Sequence, residues 1–147
     1  IIDMPPGTGD AQLTLSQKVQ LAGAIIISTP QDLSLIDARK GLNMFKKVNV
    51  PILGIIENMS YFLCNSCNTK HDIFGHGGAK KEAEKLGVTF LGEIPIDIDI
   101  RSCSDESIPL FEKDPKNPIS IIYQKIAVSI ISEVEKKSVI KPNIVMS

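Results

Sequence analysis

Ala24-Ile25-Ile26-Ile27-Ser28-Thr29-Pro30 and, one helical stretch later, Pro51-Ile52-Leu53-Gly54-Ile55-Ile56-Glu57-Asn58 decide the fold. Each is a short apolar run without polar alternation, stopped by turn-forming or polar residues. A strand that is apolar on both sides suits a parallel sheet covered by helices on both faces. Between the two runs, Asp32 to Val48 carries Leu33, Ile36, Met44, Phe45 and Val48 at near-helical spacing. Lys46 and Lys47 close that stretch, where cations complement the helix dipole. The unit is strand, helix, strand.

Upstream, Ile1 to Met4 reads as the tail of another buried strand. Pro5-Pro6-Gly7-Thr8-Gly9-Asp10 then forms a dense turn signal that continues neither strand nor helix. Ala11 to about Val19 reads as a short helix capped by Asp10. Downstream, Met59 to His76 turns polar and carries Cys64-Asn65-Ser66-Cys67, an insertion between strand and helix. Gly77 to Leu86 reads as a helix closed by Gly87, Val88 to Ile94 as a last strand, and Pro95 to Asn117 as a Pro- and Asp-punctuated loop. Ile119 to Lys137 is an amphipathic helix opened by Pro118, and Ser138 to Ser147 a frayed tail. Alternating strands and helices imply right-handed crossovers, hence an α/β doubly wound, mostly parallel sheet flanked by helices. Its ligand site belongs at the carboxyl ends of the strands, where Asp3, Thr29, Asn58 and Pro95-Ile96-Asp97 all fall. The expected organisation is one domain over 1–137, with the insertion at 59–76 and a tail at 138–147. The chain opens on Ile1 inside an apparent strand, so residue 1 is not expected to be the natural start.

Composition bounds the function. The 147 residues are 43% hydrophobic and 22% charged, enough for a core of their own. Sixteen Lys and Arg stand against 17 Asp and Glu, a formal net charge of -1, so no overall positive field draws the chain to nucleic acid or an anionic membrane. No apolar run approaches the roughly 20 residues that cross a bilayer. The expected compartment is the cytoplasm, or the mitochondrial matrix if the source is eukaryotic. Three cysteines, two at C-x-x-C spacing, suit a reducing compartment and metal or redox work better than a disulfide framework.

Four groups of residues carry candidate chemistry. Asp3, an acid ending a buried strand before a Gly-containing loop, suits the waters of a nucleotide-bound Mg²⁺, and the backbone of Gly7-Thr8-Gly9 can approach a γ-phosphate closely. The amide of Asn58 matches an adenine edge, and Pro95-Ile96-Asp97 can flank the same base. Cys64 and Cys67 can place two thiolates on one metal or cluster edge, but a structural zinc or a 4Fe–4S cluster takes four ligands. Two loops meeting at a twofold axis would supply them. Alternatively, Cys64, Cys67, His71 and His76 close around zinc within one chain, or the pair is a redox dithiol. Cys103, without a neighbour in sequence, reads as a structural thiol.

Taken in order, Ile2-Asp3-Met4-Pro5-Pro6-Gly7-Thr8-Gly9-Asp10, Ser28-Thr29-Pro30-Gln31-Asp32, Glu57-Asn58-Met59-Ser60, Phe74-Gly75-His76-Gly77-Gly78 and Gly92-Glu93-Ile94-Pro95-Ile96 resemble the motifs of the Mrp/ApbC iron–sulfur cluster carriers. The resemblance runs from residue 1 to about 136. It implies a deviant Walker A P-loop ATPase related to MinD and ParA. Such a protein is dimeric, binds a labile 4Fe–4S cluster between subunits and passes it to apo-proteins. It further implies that Asp3 is the Walker B acid and Gly7 the switch II contact to the γ-phosphate. Asn58 becomes the adenine reader, Pro95 and Ile96 the lining of the adenine pocket, and Cys64 with Cys67 the cluster ligands; ATP and Mg²⁺ are the expected cofactors. No Gly-Lys-Ser/Thr occurs in the sequence; the family's phosphate loop lies upstream. The chain is therefore expected to be the C-terminal part of such an ATPase, inactive alone. A MinD/ParA-like positioning ATPase and a zinc-stabilised binding module are the competing readings.

Overall fold

Three parallel strands, β1 (Ala24–Ser28), β2 (Ile52–Glu57) and β5 (Phe90–Glu93), form a sheet in the order β1-β2-β5. The computed structural model describes residues 1–5 and 9–138 of the chain. Every residue of the central strand β2 is buried, as its unbroken apolar run requires. Alternate residues serve opposite faces. Ile26 and Ile55 join α2 (Asp32–Lys47) and α3 (Gly78–Leu86) in one core, through Leu35, Ala38, Leu42, Phe45, Ala79 and Ala83. Ile56 and Leu91 join Ile126 of α6 (Pro118–Ser138) in the other. Helices cover both faces, so the α/β doubly wound reading holds.

Local expectations meet mixed outcomes. Ile1 to Met4 forms no strand: Ile1, Ile2 and Asp3 are exposed, and only Met4 packs against the core. A strand exists by pairing, and none of the described strands pairs with this segment. Helix α1 (Asp10–Lys18) starts from Gly9 with no side-chain cap bond, so Asp10 is a first-turn acid and not the cap. In α2, Leu33 is 74% exposed and Ile36 is also exposed, whereas Met44 and Phe45 are buried as expected, together with Leu35, Ala38 and Leu42. The docking angle of the helix on the sheet, which spacing does not report, chose that face. Gly87 closes α3 in the left-handed conformation, as expected.

The insertion is not bare loop. It holds a two-stranded antiparallel hairpin, β3 (Phe62–Leu63) with β4 (Lys70–His71). The stretch expected as loop from Pro95 to Asn117 contains α4 (Ile98–Asp105) and α5 (Leu110–Lys113). Asp97 caps α4 by accepting from the Asp99 N–H at 2.7 Å, a signal the surrounding prolines and acids obscured. Gly7 and the tail from 139 onward lie outside the described residues. No described helix is long and apolar enough to cross a membrane.

Candidate functional site

At the carboxyl end of β2 the chain turns sharply. Asn58 N–H donates to the Ser28 carbonyl at 2.8 Å, and Met59 takes the left-handed region at φ 54°, uncommon for a residue with a side chain. That turn lets Met59 N–H donate to Asn58 Oδ1 at 3.0 Å, which anchors the amide by its oxygen and leaves its N–H donors for a ligand. The chain then runs beside the end of β5. Ser60 N–H donates to the Ile94 carbonyl at 3.0 Å, and Ile96 N–H to the Tyr61 carbonyl at 2.7 Å. Between these segments and α4 lies a cleft of about 500 Å³ lined by Asn58, Met59, Phe62, Pro95, Ile96 and Arg101, among others. Apolar walls, the Asn58 amide, the Arg101 guanidinium and the Asp97 carboxylate suit a flat heteroaromatic base with polar edges. The structure thus brings Asn58, Pro95 and Ile96 together. Asp3 is exposed outside this cleft, and Gly7 is among the residues not described.

Behind the cleft sits a polar knot. Glu57 is fully buried, yet its carboxylate is satisfied: Oε1 accepts from Ser60 Oγ at 2.6 Å and Gly77 N–H at 2.9 Å, and Oε2 from Ala79 N–H at 2.7 Å. The two amides belong to the N-terminal end of α3, whose dipole favours an anion. Ser60 Oγ also lies 3.1 Å from His76 Nδ1 and 3.2 Å from Glu93 Oε2. Glu57, His76 and Glu93 offer ligand atoms within 4.8 Å of one another, but the Ser60 hydroxyl, within hydrogen-bonding reach of all three, fills the place between them. Sequence reasoning missed this knot. The available signal was a carboxylate ending an unbroken apolar strand, with a serine three residues on.

The cysteines sit at the tip of the hairpin. Cys64 N–H donates to the Thr69 carbonyl at 3.0 Å and Asn68 N–H to the Cys64 carbonyl at 2.8 Å, closing a tight loop that gathers Cys64 and Cys67. Cys64 is half-buried and Cys67 exposed. Cys67 Sγ lies 3.2 Å from Thr69 Oγ1. Hydrogen bonding with the Thr69 hydroxyl, then the Thr69 backbone, then the Cys64 thiol holds the Cys67 thiol below its usual range. That favours the thiolate, the form that binds metal. The four-ligand zinc set is not assembled: His71 packs beside the Phe62 ring with centroids 6.4 Å apart, and His76 belongs to the Glu57 knot. Among the described residues, Glu57, His76 and Glu93 are the one group of three or more such side chains with converging ligand atoms. Cys103 is 3% exposed in α4, beside an apolar cavity of about 420 Å³, apart from the pair.

Comparison with known proteins gives the family. The chain is 51% identical over 129 residues to an iron-sulfur cluster carrier protein of Pseudomonas fragi, covering 88% of this chain and 45% of that protein. It is 48% identical over 153 residues to an iron-sulfur cluster transfer protein, NUBPL, of Dictyostelium discoideum, covering all of this chain and 47% of the relative. The chain thus spans less than half the length of these two relatives. A nucleotide-binding protein of Archaeoglobus fulgidus, solved in complex with ADP, superposes with a TM-score of 0.62 at 43% identity over 70% of this chain and 42% of that one. Residues 1–131 match the ParA family profile described as NUBPL iron-transfer P-loop NTPase, and the chain belongs to that family.

Proposed function

We propose that the protein containing this chain is an ATP-dependent iron–sulfur cluster carrier. It holds a labile 4Fe–4S cluster between two copies and hands it to apo-proteins. The observation that carries this is the hairpin tip, where Cys64 and Cys67 stand together, accessible, with the Cys67 thiol drawn toward the thiolate. Two thiolates are half of a four-ligand set, and a twofold axis through two hairpin tips supplies the other half. The cluster is cargo, so ligands at an exposed tip suit its release better than ligands in a core.

ATP, when bound, supplies the free energy of hydrolysis. The residues of this chain bind and orient it: Asn58 reads the base while Pro95 and Ile96 flank it in the cleft. Asp3 would hold the waters of Mg²⁺, and the Gly7 backbone would meet the γ-phosphate. No Gly-Lys-Ser/Thr occurs here, so residues 1–147 alone neither bind ATP tightly nor hydrolyse it. Three free cysteines fit a reducing compartment, the cytoplasm or the mitochondrial matrix.

The test is anaerobic reconstitution of the full-length protein with iron and sulfide. The expected result is a cluster absorption band, about one cluster per dimer, abolished in Cys64→Ala and in Cys67→Ala. An unchanged band in either variant, or one tightly held zinc per chain in its place, refutes the proposal.

A further inference from the structure

The insertion leaves the domain after Asn58 and returns at Gly77, and both of its ends are tied to one side chain. Ser60, near the outgoing end, donates to Glu57 Oε1 at 2.6 Å; Gly77, at the returning end, donates to the same oxygen at 2.9 Å. Ala79 holds the other oxygen at 2.7 Å. Glu57 itself cannot shift: its backbone is in register with Ser28 on one side and Glu93 on the other, and its carbonyl accepts from Ile94 N–H at 2.8 Å. A fully buried carboxylate is tolerable only while its lone pairs are satisfied. The ends of the insertion therefore stay together as long as the charge stays buried. Past Ser60, the Ile96–Tyr61 hydrogen bond and the Phe62–Ile96 bridge carry the fixed path to within two residues of Cys64.

We infer that Glu57, acting through Ser60, is a positioning residue for the cysteine pair. Capping α3 alone would need only the two amide bonds; the third and shortest bond goes to the root of the cysteine hairpin. This rests on the reading that Cys64 and Cys67 hold the cluster, so the experiment separates the two ideas. Ser60→Ala in the full-length protein removes the hairpin bond and spares both helix bonds. One readout needs no cluster: a nitroxide on Cys67, with Cys64→Ser and Cys103→Ser, reports hairpin motion. The second is the paramagnetic spectrum and half-life of the reconstituted cluster with all cysteines present.

The expected result is a mobilised label and a cluster half-life about tenfold shorter, the factor that follows from losing one hydrogen bond to a charged group. The cluster spectrum shifts and ATPase kcat stays near wild type, while the melting temperature falls by a few degrees because the buried Glu57 carboxylate loses one of its three hydrogen bonds. A merely structural role would lower the melting temperature equally and leave the label and the spectrum alone. Glu57→Gln, which turns one acceptor oxygen into an N–H₂ facing a donor, should give the same change more strongly. A folded Ser60→Ala protein whose label stays as immobile as wild type overturns the inference. A mobilised label in a protein that takes up no cluster upholds the positioning and defeats the carrier reading.

Discussion

Gly78→Ala probes the packing on which the Glu57 knot depends. Gly78 opens α3, and a Cβ there would stand 2.5 Å from the Pro30 carbonyl oxygen and 3.1 Å from Leu35 Cδ1. Real contacts of this kind keep at least 3.0 Å; Pro30 is backbone and Leu35 is buried, so the N-terminal end of α3 must retreat by about half an ångström. The Gly77 and Ala79 amides retreat with it, lengthening bonds of 2.9 and 2.7 Å to a carboxylate that has no water to fall back on. Overpacking costs about 1–3 kcal/mol, and weakening the two charge-assisted bonds adds about 1–2 kcal/mol. Replacing glycine by alanine in a helix returns at most about 1 kcal/mol. The net expectation is a destabilisation of about 3 kcal/mol, read by equilibrium urea unfolding as a midpoint lowered by about 1–2 M with unchanged slope. Gly77→Ala is the control: nothing lies within 4 Å of its Cβ, but φ is 71°, so only the left-handed strain of about 1–2 kcal/mol applies. A Gly78→Ala cost below about 0.5 kcal/mol, or below that of Gly77→Ala, would refute the close approach of α3 to Pro30.

Arg39→Ala should cost about 2 kcal/mol in the same assay. It strands Glu82, whose side chain is 5% exposed and takes both hydrogen bonds of the guanidinium; the half-exposed arginine keeps the loss below that of a deeply buried pair. Glu82→Gln should cost less than Arg39→Ala, and equal or reversed costs would argue against this. In the apo-protein, iodoacetamide should modify Cys67 before Cys64 and leave Cys103 until unfolding, followed by peptide mass spectrometry. Because the Thr69 hydroxyl is the main cause of the lowered Cys67 pKa, Thr69→Val raises that pKa and slows alkylation at neutral pH. At pH well above the thiol range the two proteins should react alike; a rate insensitive to Thr69 at both pH values defeats the assignment.

Much of this was legible in the linear sequence because it depends on local rules. The runs at 24–28 and 52–57 announce strands buried on both faces, and Gly87 announces a left-handed helix end. The C-x-x-C announces two thiolates at one place whatever surrounds them. Asn58, Pro95 and Ile96 could be grouped in advance because a parallel sheet puts the ends of neighbouring strands together. Other features depend on which surfaces meet. Only docking settled that α2 buries Leu35 and Ala38 and leaves Leu33 in water, and only the position of α3 turned His76 away from the cysteines toward Ser60. The Glu57 knot joins residues from three distant stretches, and a buried charge has no periodic signature; its partners exist once the helix end and the strand end have been packed together. The sequence by itself determined the three sheet strands, helices α1, α2, α3 and α6, their order and the thiols. The tertiary structure alone decided which polar groups are shut away from water, and hence which of them must hold one another.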